Sequence, residues 1–269
     1  MTWFLLPELP ASPAEDILER PAPPADRRLP YGPHPSQFAD LRLPAASGPH
    51  PIVLLLHGGY WRDRYDLTYL GHVAEALRRE GVATWNIEYR RVGDGGGFPA
   101  TLHDVVHAGS LLSSVASQHN LDLGHVACLG HSAGGQLALW LAKRPLPFPL
   151  RGVVALAPVA DLRLAADRHL SDDATQSFLG GDPAEVPDRY AASSPAALLP
   201  LGVRQVLVHG DDDDAVPYEM SVRYTESARA AGDDVTFQAL PATGHFEPVD
   251  PDSAAWPHVR DAALSLLGD

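Results

Sequence analysis

Six short apolar runs recur along the chain: PIVLLL (51–56), VATWNIEY (82–89), HVACLG (125–130), GVVALA (152–157), RQVLVHG (204–210) and VTFQAL (235–240). They are continuously apolar rather than alternating, which predicts strands buried on both faces. Helical spacing fills the gaps between them. Leu70, Val73, Ala74 and Leu77 fall at i, i+3, i+4 and i+7, Leu102, Val105, Val106 and Gly109 repeat the interval, and Leu137, Trp140 and Leu141 open a third such segment. Strand and helix therefore alternate. This predicts an α/β fold with a mostly parallel central sheet, helices on both faces, and functional loops at the C-terminal ends of the strands.

Two regions break the rhythm. Residues 1–35 are rich in proline, as in PAPPADRRLPYGPHP, and are expected to form an arm packed on a single domain spanning residues 36–269. Residues 161–200 are polar, irregular and long for a connection, so they are expected to carry short helices and to form a small cap or lid over a site.

Composition narrows the picture further. With 269 residues and 45% hydrophobic content, the chain can bury a substantial core, as one large domain or two small ones. Its net charge of −14 argues against a nucleic-acid partner, whose phosphates call for clustered Lys and Arg. The single cysteine, Cys128, rules out an intrachain disulfide and a cysteine zinc cluster, and it fits a reducing cytoplasm. The opening MTWFLLPELP has no basic segment and is interrupted by Pro7 and Pro10, a poor signal peptide. No run approaches the roughly 18 apolar residues of a membrane span. A cytoplasmic protein without a membrane partner is expected; a homodimer is compatible with the sequence, which does not fix the oligomeric state.

Gly130-His131-Ser132-Ala133-Gly134 lies directly after a predicted strand and directly before a predicted helix. A G-x-S-x-G in that context suits a nucleophile elbow, a turn so sharp that only flanking glycines let neighbouring backbone approach. The bland alternative is a tight turn in which Ser132 has no chemical role. The strand PIVLLL ends in His57-Gly58-Gly59-Tyr60-Trp61, where backbone N–H groups of Gly59 and Tyr60, with that of Ala133, could hold an oxyanion. Phosphate binding is disfavoured, because neither nucleotide glycine fingerprint occurs at a strand–helix junction. Tyr60 and Trp61 either contact substrate or pack in the core. His245, in the loop after the last apolar run, is the candidate general base, with His57 and His131 tied to their own turns.

The acid of a Ser–acid–His order belongs in HGDDDDAVPYE (209–219). Adjacent like charges cannot all be buried, so at most one or two of these carboxylates face inward. A divalent-cation site lacks the D-x-D-x-D-G spacing, and no metal or organic cofactor is expected.

HGGYW, GHSAGG, HGDDDDAVP and GHFEPVDP, in this order, resemble the α/β-hydrolase fold family. HGGYW and the entry segment YGPHPSQFADLRLP are most similar to the kynurenine formamidase (arylformamidase) group and its hormone-sensitive-lipase-like esterase relatives. The family's H-G-x-x-D-x-x-V-P pattern implies Asp213 as the triad acid, with Ser132 as nucleophile and His245 as base. It implies a cofactor-free serine hydrolase acting on a small molecule, an aryl formamide of the N-formylkynurenine type from tryptophan catabolism. Short-chain carboxylesterase is the alternative; peptidase, thioesterase and a noncatalytic binding module rank lower. YRRVGDGGGFP departs from the family's shorter passage, and its glycine insertion is expected to alter the pocket rim.

Overall fold

The computed structural model describes residues 15–268, so the expectations for the first fourteen positions, the signal-peptide reading included, lie outside the described residues. Along the chain the elements are β1 (Arg27–Pro30), β2 (Phe38–Arg42), β3 (His50–Leu56), α1 (Leu70–Arg79), β4 (Ala83–Ile87), α2 (Ala100–Val115), β5 (Leu121–His131), α3 (Ala133–Leu141) and β6 (Leu150–Leu156). They continue with α4 (Leu162–Asp167), α5 (Ala174–Leu179), α6 (Pro187–Ser193), β7 (Arg204–Gly210), α7 (Tyr218–Ala230), β8 (Val235–Leu240) and α8 (Trp256–Leu267).

The eight strands form one sheet in the order β1-β2-β4-β3-β5-β6-β7-β8. Strands β3 to β8 are the six apolar runs, and they pair in parallel throughout. The β1–β2 and β2–β4 pairings are antiparallel, so β2 alone runs against the other strands. From β3 to β7 the sheet buries both faces, since successive side chains on a strand point oppositely, whereas β8 at the far edge, against the expectation from its apolar run, stays partly exposed from Thr236 to Ala239. On β3, Ile52, Leu54 and Leu56 join Trp85, Val105 and Leu137 on one side, while Val53 and Leu55 join Leu70, Val73, Leu77 and Val259 on the other. Each fully buried aliphatic side chain contributes about 1.5–3 kcal/mol relative to exposure. A parallel sheet sandwiched in this way, with helices on both faces, is the α/β architecture that the strand–helix alternation predicts.

Strand β1 and helix α8 extend the sequence reading. β1 is a charged, exposed edge strand held to β2 by Arg28, whose Nε and Nη2 lie 2.8 Å from the two carboxylate oxygens of Asp40. Charge of this kind blunts a sheet edge against pairing with other chains. Cys128 faces the other way in its consequences: it sits fully buried on β5, between Leu54 of β3 and Val153 of β6. Residues 161–200 carry α4, α5, α6 and a 3₁₀ turn at Pro195–Ala197. No helix among the described residues is long and apolar enough to cross a membrane.

Candidate active site

Parallel strands place their C-terminal ends along one edge of the sheet, and the loops leaving β3, β5, β7 and β8 meet there. Ser132 is the single residue between β5 and α3, with φ 57° and ψ −120°. Such left-handed backbone costs a residue with a Cβ about 1–2 kcal/mol, so the surroundings must hold it. They do so through the Ser132 N–H, which donates to the Leu156 carbonyl at 2.8 Å, and the Ser132 carbonyl, which accepts from Gln136 and Val159. A Cβ on Gly130 would sit 2.1 Å from the Gly134 carbonyl oxygen, and one on Gly134 would sit 2.0 Å from that of Leu56. Neither position can carry a side chain. The motif is therefore a steric requirement of the turn, and it leaves Ser132 at the wall of a cavity of about 210 Å³.

The loop after β3 has three successive left-handed residues, Gly59 (φ 102°), Tyr60 (φ 50°) and Trp61 (φ 58°). Gly59 and Tyr60 line the cavity beside Ser132. Among the described residues, no protein acceptor takes the N–H of Gly59, Tyr60 or Ala133, the last being the first residue of α3. Unpaired N–H groups beside a serine hydroxyl are the kind of donors that a developing oxyanion requires. Tyr60 also bridges to the acidic loop, its hydroxyl donating to the Ala215 carbonyl.

The four aspartates after β7 have separate fates. Asp211, Asp212 and Asp214 are exposed, whereas the Asp213 carboxylate is fully buried. One Asp213 oxygen accepts from the backbone N–H groups of Ala215 and Val216 at 2.9 and 2.8 Å. The other accepts from His245 Nδ1 at 2.7 Å and His209 Nε2 at 3.1 Å. Burial alone would raise its pKa, but the hydrogen bonds from His209, His245 and Val216 outweigh it and hold the carboxyl well below the usual range. Asp211 serves the neighbouring loop instead: its carboxylate accepts the Ala242 N–H at 2.7 Å and braces the segment that carries His245.

His245 lines the cavity. With Nδ1 on Asp213, its Nε2 has no hydrogen-bond partner among the described residues and is open to accept a proton. No hydrogen bond joins Nε2 to the Ser132 hydroxyl, a looseness common in unliganded sites that tightens around substrate. His209 is engaged on both sides, with Ser221 Oγ 2.7 Å from Nδ1 and Nε2 facing Asp213 and the Val216 carbonyl.

A further network links three of these loops. The Gly58 N–H donates to the Tyr69 hydroxyl at 2.6 Å, and that hydroxyl lies 2.9 Å from His131 Nδ1. His131 Nε2 lies 3.0 Å from the His245 carbonyl, to which it must donate. Nδ1 then accepts the tyrosine proton, and the ring is neutral. Burial and the nearby His245 push the His131 pKa well below that of a free imidazole, in keeping with that state. The β3 loop, the Ser132 turn and the loop carrying His245 are thus held by one strut, through Tyr69, which the sequence reading did not single out.

Two expectations need correction. Trp61 does not line the cavity: it is fully buried, stacked on Phe178 at 4.5 Å, and its Nε1 donates to Gln136 at 3.1 Å. Its left-handed backbone turns the side chain into the core while Tyr60 stays at the wall. The glycine insertion does not form the rim either. Among the described residues, none of residues 93–97 lines the cavity, and the segment leads into Phe98, whose N–H donates to the Phe178 carbonyl on α5.

Comparison with known proteins follows the same outline. Kynurenine formamidase of Danio rerio is 24% identical over 232 residues, covering 82% of this chain and 75% of its own length. Versiconal hemiacetal acetate esterase of Dothistroma septosporum is 34% identical over 125 residues, covering 44% of this chain and 37% of its own length. Among solved structures, a truncated carbohydrate esterase from gut microbiota superposes with TM-score 0.76 at 22% identity, covering 92% of this chain and 98% of its own. Esterase B from Lactobacillus rhamnosis, inhibited by a tributyrin phosphonate, gives 0.78 at 22% identity over 94% and 88% of the two chains. These structures share the fold. The model of the BD-FAE family matches residues 39–227, and the chain belongs to that family of α/β-hydrolase esterases.

Proposed function

We propose that this esterase-family hydrolase works through Ser132, His245 and Asp213, removing a small acyl group from an aryl formamide of the N-formylkynurenine type. One observation carries the mechanism: His245 is fixed through Nδ1 by a buried carboxylate while its Nε2 is open to the same cavity as Ser132. Nε2 takes the serine proton as Oγ attacks the carbonyl carbon. The resulting oxyanion is held by the N–H groups of Gly59, Tyr60 and Ala133. The tetrahedral adduct collapses, the C–N bond breaks, and the imidazolium returns its proton to the leaving amine. Water, deprotonated by His245, then attacks the acyl-serine and releases formate.

The likeness to kynurenine formamidase over most of the chain supports the formamide, and a cavity of about 210 Å³ suits a small acyl group. Short-chain esters are the second reading, favoured by the likeness to versiconal hemiacetal acetate esterase. Residues 161–200 act as a cap in this reading, since Ser171 reaches the cavity wall. The experiment is a parallel assay of N-formylkynurenine and p-nitrophenyl acetate with the purified protein and its Ser132→Ala variant. Turnover of the formamide, lost in the variant by about 10⁵-fold or more, is the expected result. Turnover that persists in Ser132→Ala removes the serine mechanism, and ester cleavage without formamide cleavage selects the esterase.

A further inference from the structure

Only two charged side chains among the described residues reach the cavity wall, and both are arginines, Arg62 and Arg64. This is unexpected in a chain with 34 acidic and 20 basic residues. Several arginines elsewhere are paired, as Arg28 is with Asp40, Arg90 with Asp104 and Arg168 with Glu219. Among the described residues neither Arg62 nor Arg64 has a carboxylate within ion-pair distance. Arg62 donates from Nη2 to the carbonyls of Ser171 and Asp172, contacts that fix its position without neutralising its charge. Arg64 is exposed, its guanidinium carbon 5.3 Å from the ring centroid of Tyr65, another residue of the cavity wall.

Neither of the acids nearest in sequence forms an ion pair with Arg62 or Arg64. Asp63 lies against Gly93, where an added Cβ would meet its Oδ2 at 2.4 Å, and Asp66 accepts the Thr68 N–H at 2.8 Å. The charged side chains on the cavity wall itself are thus both cationic among the described residues, while Asp63, Asp172 and Asp214 beside the lining residues are exposed. A guanidinium with free N–H edges is suited to a planar carboxylate, and local cations offset the repulsion that a net charge of −14 exerts on an approaching anion.

We infer that the substrate carries a carboxylate on its leaving group, and that Arg64, beside the anchored Arg62, holds it at the mouth while the acyl carbon lies at Ser132. This rests on the serine-hydrolase reading above and selects among its substrates: an acyl derivative of an amino acid or aromatic acid rather than a neutral ester. Arg64 is a specificity determinant here, acting on substrate capture.

The test uses two probes that differ by one charge, 4-acetoxybenzoate and 4-acetoxybenzamide, with phenol release as the readout. Wild-type protein is expected to favour the benzoate by at least about 10-fold in kcat/KM, chiefly through KM, with the preference shrinking at high salt. Arg64→Ala should bring the ratio close to one, Arg64→Lys should keep part of it, and Arg64→Glu should reverse it. A wild-type ratio near one, or a ratio that Arg64→Ala leaves unchanged, overturns the inference. In those cases loss of turnover in Ser132→Ala still supports the serine mechanism. Turnover that survives Ser132→Ala removes the mechanism and this inference with it.

Discussion

Two buried carboxylates sit at this end of the sheet, each facing a histidine, and only one of the pairs leaves an imidazole nitrogen open to the cavity. Glu88, just after β4, accepts from His57 Nε2 at 3.1 Å and from the N–H groups of Tyr89 and Leu67, both at 3.0 Å. Asp213, after β7, accepts from His245, His209 and two backbone N–H groups. The carboxylates are equally well satisfied; the imidazoles differ. His57 has its second nitrogen 2.9 Å from the Gly58 carbonyl and its ring stacked on Tyr89 at 4.2 Å, so both nitrogens are engaged away from solvent. His245 leaves one nitrogen open to the cavity. A histidine–carboxylate contact is therefore no sign of a general base by itself, and the unengaged nitrogen beside a nucleophile is the informative feature.

Breaking each pair in turn sharpens the contrast. Asp213→Asn should lower kcat by about 10³–10⁴-fold, since an amide cannot hold the imidazole in the same tautomer. Glu88→Gln should do the opposite: unfolding free energy falls by about 3–5 kcal/mol because a buried charge network is broken. Its loss of kcat, measured on folded protein, should stay at least about 100-fold smaller than that of Asp213→Asn. Urea denaturation and steady-state kinetics on the two variants test this crossing pattern directly. Equal catalytic losses would make the pairs equivalent and remove the distinction.

Tyr69→Phe addresses the strut between the two regions. It leaves the Gly58 N–H and His131 Nδ1 without their partner, at a cost of about 1–3 kcal/mol in stability. Because the loop after β3 and the loop carrying His245 lose their common tie, the proposed mechanism expects kcat to fall about 10-fold as well. A variant that melts earlier with unchanged kcat would confine Tyr69 to folding.

The smallest effect is in pH. The folded-state pKa of Asp213 is depressed, so the unfolded chain binds its proton first as pH falls. Its stabilisation is complete above about pH 4, the ordinary aspartate value, and is lost as pH drops through the lower folded value. The stability gap between wild type and Asp213→Asn should hold from pH 7 to about 5 and narrow below about 4 in denaturation series. A gap that widens in acid would mean that the carboxylate is not the stabilised form.

Much of this architecture was legible in the chain. Continuous apolar runs mark β3 to β7 because those strands are largely buried on both faces; β8 is a partly exposed edge strand, and the same rule passes over β1 and β2, whose RRLP and FADLR carry charged residues. Helix α8 obeys the helical spacing through Trp256, Val259, Ala263 and Leu266, with Pro257 tolerated in its first turn. Turn chemistry and chain order led to Ser132, His245 and the acidic loop, and the resemblance selected Asp213 within it. Trp61 defeated the sequence reading because its partner, Phe178, is supplied by a helix far along the chain. Tyr69 carries no local signal either, since its contact with His131 spans 62 positions. Glu88 did leave one: a lone acid in the apolar run VATWNIEY needs a buried partner, and His57 is that partner.

The lone thiol has a practical consequence. Cys128 lies at the middle of the sheet, fully buried, with its pKa raised by burial, so a native molecule presents nothing to an alkylating reagent. Its modification rate under native conditions therefore times the rare openings of the central strands. One sulfur atom gives every variant named above a built-in clock for global opening, read by mass and independent of any substrate.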